Sequence, residues 1–199
     1  MRWLPLLLLP LLTACGAISS LSEASRELDA YTLSPLPPEG TPAPGRRHLV
    51  VEAPGAPGAL ATDRILVKPQ PFQAQYLADA RWTEPAPELL QTLLVASFQN
   101  RGGFRLVERT GAGLMPDYTL MTELQAFQAE PQPDGTVTLT VAAVLTLIRE
   151  ADRSILATRR VAASQAVASD DTALIVAGLD RTLQSVLAET VAWTRDQAR

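Results

Sequence analysis

The side chains best suited to chemistry are few and far apart. The chain has one thiol, Cys15, and one imidazole, His48. A single histidine and a single cysteine put the usual zinc ligand sets out of reach, and one cysteine allows no intramolecular disulfide. A serine–histidine–aspartate relay would have to use His48, and no Gly-x-Ser-x-Gly elbow presents a serine to it. His48 stands at a strand start beside Arg46-Arg47 and reads as a structural histidine. Gly111-Ala112-Gly113 lacks the later glycine and the Lys-Ser/Thr of a phosphate loop, so it reads as a turn. Asp170-Asp171 has no alternating oxygen donors after it, which favours helix capping over calcium binding. Carboxylates are plentiful, but their spacing singles out no acid–base pair. The expectation is a non-enzymatic protein with no cofactor and no metal.

The thiol has a clearer role. Cys15 follows a short apolar run, Trp3 to Leu12, with the positive charge of Arg2 before it and the small residues Thr13-Ala14 after it. That is the layout of a secretory signal peptide. The run is far short of the roughly 20 apolar residues that cross a bilayer. Leu12-Thr13-Ala14-Cys15 resembles a bacterial lipobox, which implies cleavage before Cys15 and acylation of its thiol and new amino group, palmitate being one such acyl group. Two or more acyl chains hold a protein stably at a membrane, so the folded part needs no membrane-binding surface of its own. Gly16-Ala17 carries no aspartate at the second position, which favours the outer membrane, on the leaflet facing the periplasm. The expected division is a signal peptide over 1–14, a lipidated cysteine and tether over 15–30, and one folded domain over 31–199.

Removing residues 1–14 takes away Arg2 and leaves sixteen basic against twenty-one acidic residues, so the net charge moves from −4 to −5. A negative balance argues against nucleic acid, which needs a basic stripe, and against electrostatic docking on anionic lipid. Every basic residue but Lys68 is arginine.

The elements that position these residues follow from periodicity. Residues 16–30 are small, polar and weakly helical. Tyr31-Thr32-Leu33 starts as a short strand, and the five prolines of Ser34–Gly45 make an extended connection outside the core. His48–Val51, Thr62–Lys68 and Gln73–Trp82 read as strands, the last with Tyr76, Ala78 and Ala80 on one side. Pro85 and Pro87 open a helix through about Asn100, with Leu90, Leu93, Leu94, Ser97 and Phe98 on its buried face. Gly102-Gly103 stops it, and Phe104–Glu108 is a strand. A meander follows: Tyr118, Leu120, Leu124 and Ala126 share one face, then Val137, Leu139, Val141, Ala143, Leu145 and Leu147 point one way with Thr138, Thr140 and Thr146 on the other face, then Ser154 to Val167. Arg159-Arg160 must put one arginine on each face or occupy a bulge. Ser169-Asp170-Asp171 caps a final helix ending near Arg195, with Ser169 supplying the capping oxygen. Its apolar stripe includes Ile175, Leu179, Leu183, Val186, Leu187 and Val191. The order predicts an α+β fold, a mixed and largely antiparallel sheet with two main helices packed on one face.

Tyr76, Arg81 and Trp82 form an aromatic–arginine cluster just before the Pro85/Pro87 helix start. Such a cluster is either an interface hot spot or packing that covers the helix start.

Several short motifs occur in a fixed order: Tyr31-Thr32-Leu33 soon after the cysteine, then Tyr76-Leu77-Ala78-Asp79-Ala80-Arg81-Trp82 ending in Thr83-Glu84-Pro85, then Gly103-Phe104-Arg105-Leu106-Val107, and finally Ala188-Glu189-Thr190-Val191-Ala192-Trp193. Together they resemble the ABC-type transport auxiliary lipoproteins, the family that includes the paraquat-inducible protein C group. One departure is Ala177-Gly178-Leu179-Asp180, where an Ala-Met-Asn-like run is expected; glycine within a helix costs about 1 kcal/mol relative to alanine. The resemblance implies a non-catalytic auxiliary component of a system that moves lipids or hydrophobic compounds across the envelope. Its partners would be a mammalian-cell-entry type substrate-binding protein and that protein's ABC permease and ATPase, with homo-oligomers also open. The alternative is an assembly or scaffold lipoprotein of another outer-membrane machine, such as lipopolysaccharide export.

Overall fold

Alternation over Val137–Arg149 leaves one face wholly apolar and puts Thr138, Thr140 and Thr146 on the other, and a strand of this kind can hold a neighbour on each edge. In the computed structural model, which describes residues 27–41, 43–111, 113 and 115–198, it does so along its whole length. The elements in chain order are β1 (Asp29–Tyr31), β2 (His48–Val51), β3 (Arg64–Val67), β4 (Gln75–Trp82), α1 (Ala86–Arg101), β5 (Leu106–Arg109), β6 (Tyr118–Pro131), β7 (Val137–Arg149), β8 (Ser154–Val167) and α2 (Thr172–Gln197).

β6, β7 and β8 form the antiparallel meander. The free edge of β6 is then shared by two strands, both parallel to it. β2 takes its first half through Leu49–Tyr118, Val50–Thr119 and Val51–Leu120, and β3 takes its second half through Leu66–Gln128 and Val67–Ala129. β5 extends the first arm in parallel with β2. β4 extends the second, antiparallel to β3, and β1 closes it in parallel with β4. The long ladders are antiparallel and the short ones mostly parallel, so the sheet is mixed, largely antiparallel and forked.

Both helices lie on the face that carries Val51, Leu120, Leu139 and Leu147, each essentially fully buried. α1 crosses β2 and β5, and α2 crosses β6, β7 and β8. The stripe Ile175, Leu179, Leu183, Val186, Leu187 and Val191 is buried as its spacing predicts. Pro87 sits in the first turn of α1 and Gly102, at φ 67°, follows its last residue.

Four details differ from the sequence expectation. Gln125 is an extra residue between the Leu124–Ala143 and Ala126–Ala142 pairs, so it forms a bulge. The bulge turns Ala126 to the open face and brings Phe127 and Ala129 into the core, which simple alternation does not foresee. A register shift between β3 and β4 likewise parts Tyr76, which is exposed, from Ala80, which is fully buried. Asp171, not Ser169, is the N-cap of α2, its carboxylate accepting the Leu174 N–H at 3.0 Å. Last, the proline-rich stretch contributes to the core. Leu33 and Leu36 are 6% and 3% exposed. A polyproline-like segment makes no internal hydrogen bonds, so its backbone is free for side chains of the helices. Asp180 of α2 accepts the Ser34 N–H at 2.7 Å, and Ser97 of α1 accepts the Leu36 N–H at 3.0 Å. Asn100 donates to the Leu36 carbonyl at 2.7 Å and Gln184 to that of Ser34. The segment is a strap running from α2 to α1, and Ser97, on the buried face of α1, is its anchor.

Candidate functional site

β4 separates the aromatic–arginine cluster. Trp82 points inward, 1% exposed, and its ring stacks on Phe127. A side chain sealed in the core offers nothing to a partner, so Trp82 leaves the candidate set and belongs to the packing that holds the helix start. Arg81 is about one-third exposed and its guanidinium lies 3.5 Å from the Asp63 carboxylate. Tyr76 is 38% exposed. Its hydroxyl donates to the Ala59 carbonyl at 3.3 Å, and the Arg64 guanidinium lies 5.7 Å from its ring centroid. Arg64 pairs with Arg81 across the β3–β4 ladder. Tyr76 and Arg81 therefore reach the surface of the β3–β4 arm with the half-buried Arg64 beside them, its Nη2 donating to the Leu77 carbonyl at 2.7 Å, and Arg64 is the member that sequence reading missed. Only the antiparallel register of β3 and β4, invisible in one strand alone, brings it there.

Cys15 lies outside the described residues. His48 opens β2, where its backbone N–H donates to Asp117 at 2.8 Å while Arg47 pairs with the same carboxylate at 3.0 Å. The His48 bond and the neighbouring arginine hold Asp117 below the usual aspartate range.

The open face of the sheet carries a cleft of about 230 Å³ over β2, β5 and the start of β6. Val50 and Leu106 form part of its floor, and Glu52, Glu108, Glu150 and Arg153 stand around it. Parallel pairing of β2 with β5 sets Val50 beside Glu108, a relationship that no spacing in the sequence reveals. Glu150 accepts from the Thr119 hydroxyl at 2.6 Å and pairs with Arg153 at 2.8 Å. Those bonds, Thr119 first, keep its carboxyl below the ordinary glutamate range, so it stays ionised and fixes the β7–β8 turn. Among the described residues no three of His, Cys, Asp and Glu come together as a metal cradle. No described helix is long and apolar enough to cross a membrane.

Comparison with known proteins gives a consistent result. The family model described as ABC-type transport auxiliary lipoprotein component matches residues 31–192. The chain is 26% identical over 146 residues to the uncharacterized protein bll6063 of Bradyrhizobium diazoefficiens, covering 73% of this chain and 39% of that protein. The chain thus spans well under half the length of that curated relative. Among solved structures, protein XCC0632 from Xanthomonas campestris superposes with a TM-score of 0.75 at 25% identity, covering 86% of this chain and 96% of that one. The hypothetical protein CT253 from Chlamydia trachomatis shares the fold, with a TM-score of 0.54 at 9% identity, covering 78% and 98%.

Proposed function

Because the chain belongs to the family of ABC-type transport auxiliary lipoprotein components, we propose that it is a non-catalytic adaptor held by lipid on Cys15 at the periplasmic face of the outer membrane. It serves an ABC system whose substrate-binding protein is of the mammalian-cell-entry type, and which carries lipids or other hydrophobic compounds across the envelope. The match over residues 31–192 carries this reading. Two further points support it. The lipobox-like Leu12-Thr13-Ala14-Cys15 supplies an anchor, and the β3–β4 arm offers an aromatic–arginine strip, Tyr76 with Arg64 and Arg81, of the composition that interfaces favour.

Two experiments test the reading. Cys15→Ser is expected to remove the protein from the membrane fraction; retention there after a high-salt wash would refute the anchor. A photo-crosslinker at position 76 in cells is expected to capture the mammalian-cell-entry type protein, and Arg81→Ala to weaken that capture. Capture of an outer-membrane β-barrel instead would point to an assembly role.

A further inference from the structure

We infer that the β3–β4 hairpin tip is a second membrane contact, in which Phe72 inserts among lipids beside the acylated Cys15. The inference rests on the anchor reading above and adds to it which end of the domain faces the bilayer.

Phe72 is fully exposed, at 103% of its reference area, while Trp82 and Phe98 are sealed in the core. Its exposure is built in and not a fraying loop. The Gln73 N–H donates to the Gln70 carbonyl at 3.1 Å, closing a turn with Pro71 at its second position, where proline's fixed φ belongs. At the base of the hairpin the Lys68 N–H donates to the Ala129 carbonyl at 2.8 Å and extends the ladder to β6. Solvent gains nothing from an aromatic ring held out in this way, since burying it is worth far more than exposing it.

The chain leading to Cys15 says what covers the ring. β1 runs parallel to β4, with Asp29 beside Ala80. Read backward, the direction of β1 at Asp29 points toward the start of β4, the end that bears the hairpin tip. From Ala80 back to Gln75 is roughly 17 Å of strand, and the tip lies beyond. The thirteen residues between Cys15 and Asp29 reach at most about 45 Å, whatever their conformation. A lipid on Cys15 thus leaves this end of the sheet within reach of the bilayer, and the direction of β1 puts the end that bears Phe72 on the side from which the tether arrives. One inserted aromatic is weak alone and adds little to acyl chains that already hold the protein, but beside them it acts at high local concentration and sets which end of the domain meets the lipid. The charges nearby choose the lipid. Asp134 in the β6–β7 turn and Asp170-Asp171 before α2 lie at this end and outnumber Lys68 at the hairpin base, so the local balance is negative, which suits zwitterionic headgroups better than anionic ones.

The test uses the lipidated full chain in vesicles of phosphatidylethanolamine and phosphatidylcholine. Acylation occupies Cys15, so Gln73→Cys supplies the single free thiol for an environment-sensitive fluorophore, with Met115→Cys, 89% exposed in the loop before the start of β6, as the comparison site. The label at 73 is expected to shift to the blue and to be quenched by nitroxide-bearing lipid, and the label at 115 is not. Phe72→Ser should abolish the quenching at 73, and added phosphatidylglycerol should reduce it. Protein that floats with the vesicles but leaves the label at 73 in water overturns the tip contact while the anchor stands. A blue shift at 73 that appears only when a partner protein is added also overturns it, in favour of protein docking. Protein that fails to float overturns the anchor and the tip contact together.

Discussion

The indole of Trp82 lies on the ring of Phe127 with 5.2 Å between centroids and 5° between planes. β3 runs between β4 and β6, so this stack joins two strands that are not neighbours. It also ties the surface strip of Tyr76 and Arg81 to the bulged strand, since Phe127 faces inward only because Gln125 interrupts the alternation.

Trp82→Ala is therefore expected to cost about 3–5 kcal/mol, as for other buried aromatics, and Arg81→Ala no more than about 1 kcal/mol, as for an exposed ion pair. Urea unfolding of the two variants separates them. Equal losses would mean that Arg81 carries packing not seen in its contacts.

Gly178→Ala should destabilise, although alanine normally improves a helix by about 1 kcal/mol. A methyl there would stand 2.2 Å from Leu139 Cδ1 and 2.9 Å from Val167 Cγ1. Leu139 is fully buried and the valine is stiff at χ1, so overpacking by about 1–3 kcal/mol outweighs the gain. Leu139→Val should recover part of the melting temperature in the double variant. A stabilised Gly178→Ala would show that α2 lies further from the sheet.

Ser97→Ala should loosen the strap. It leaves the Leu36 N–H without its acceptor in a buried site, a loss of about 1–3 kcal/mol. Hydrogen exchange at the Leu36 amide should quicken more than exchange in the centre of β7. Uniform quickening across the domain would assign Ser97 to global stability alone.

What the sequence disclosed, and what it withheld, follows from how far apart the partners are. The alternation of Val137–Leu147 and the stripe from Ile175 to Val191 were readable because each is a local period set by a large core. The bulge at Gln125 was not, because two-against-one pairing is a property of β6 with β7. The strap was hidden for a related reason: five prolines advertise an extended backbone but not the four helix side chains that satisfy it. Gly178 looked like an irregularity within a helix and is the point where α2 comes close to Leu139. In the candidate site, Tyr76 and Arg81 were legible as residue types, while the inward turn of Trp82 and the approach of Arg64 depend on the β3–β4 register.

Asp117 gives an acid dependence of defined sign. The His48 N–H and then Arg47 lower its pKa in the fold, so its ionised form adds stability that is fully present above about pH 4. That stability is lost as the pH falls through the lower folded value. With a third of the side chain exposed, screening holds the contribution below about 1 kcal/mol. Asp117→Asn should melt earlier than the parent at pH 7, and the two should converge toward pH 2.5. A gap that stays constant with pH would exclude ionisation as its source.

The fork in the sheet also dictates an order of assembly. β2 and β3 meet β6 across more than sixty residues of chain, whereas β6, β7, β8 and α2 follow one another directly. Closing long loops before any contact rewards them is slow, so the C-terminal meander is the expected nucleus and the two N-terminal arms join afterwards. Substitutions in Val137–Leu147 should then slow refolding, and those in Leu90–Phe98 should chiefly speed unfolding. A chain that leaves the ribosome or a secretion channel N-terminus first can pair β2 with β5 and β3 with β4, but has no strand to join the two arms until β6 has emerged. On the anchor proposed above, the lipobox-like segment would meet its processing enzymes before β2 and β3 have their β6 partner.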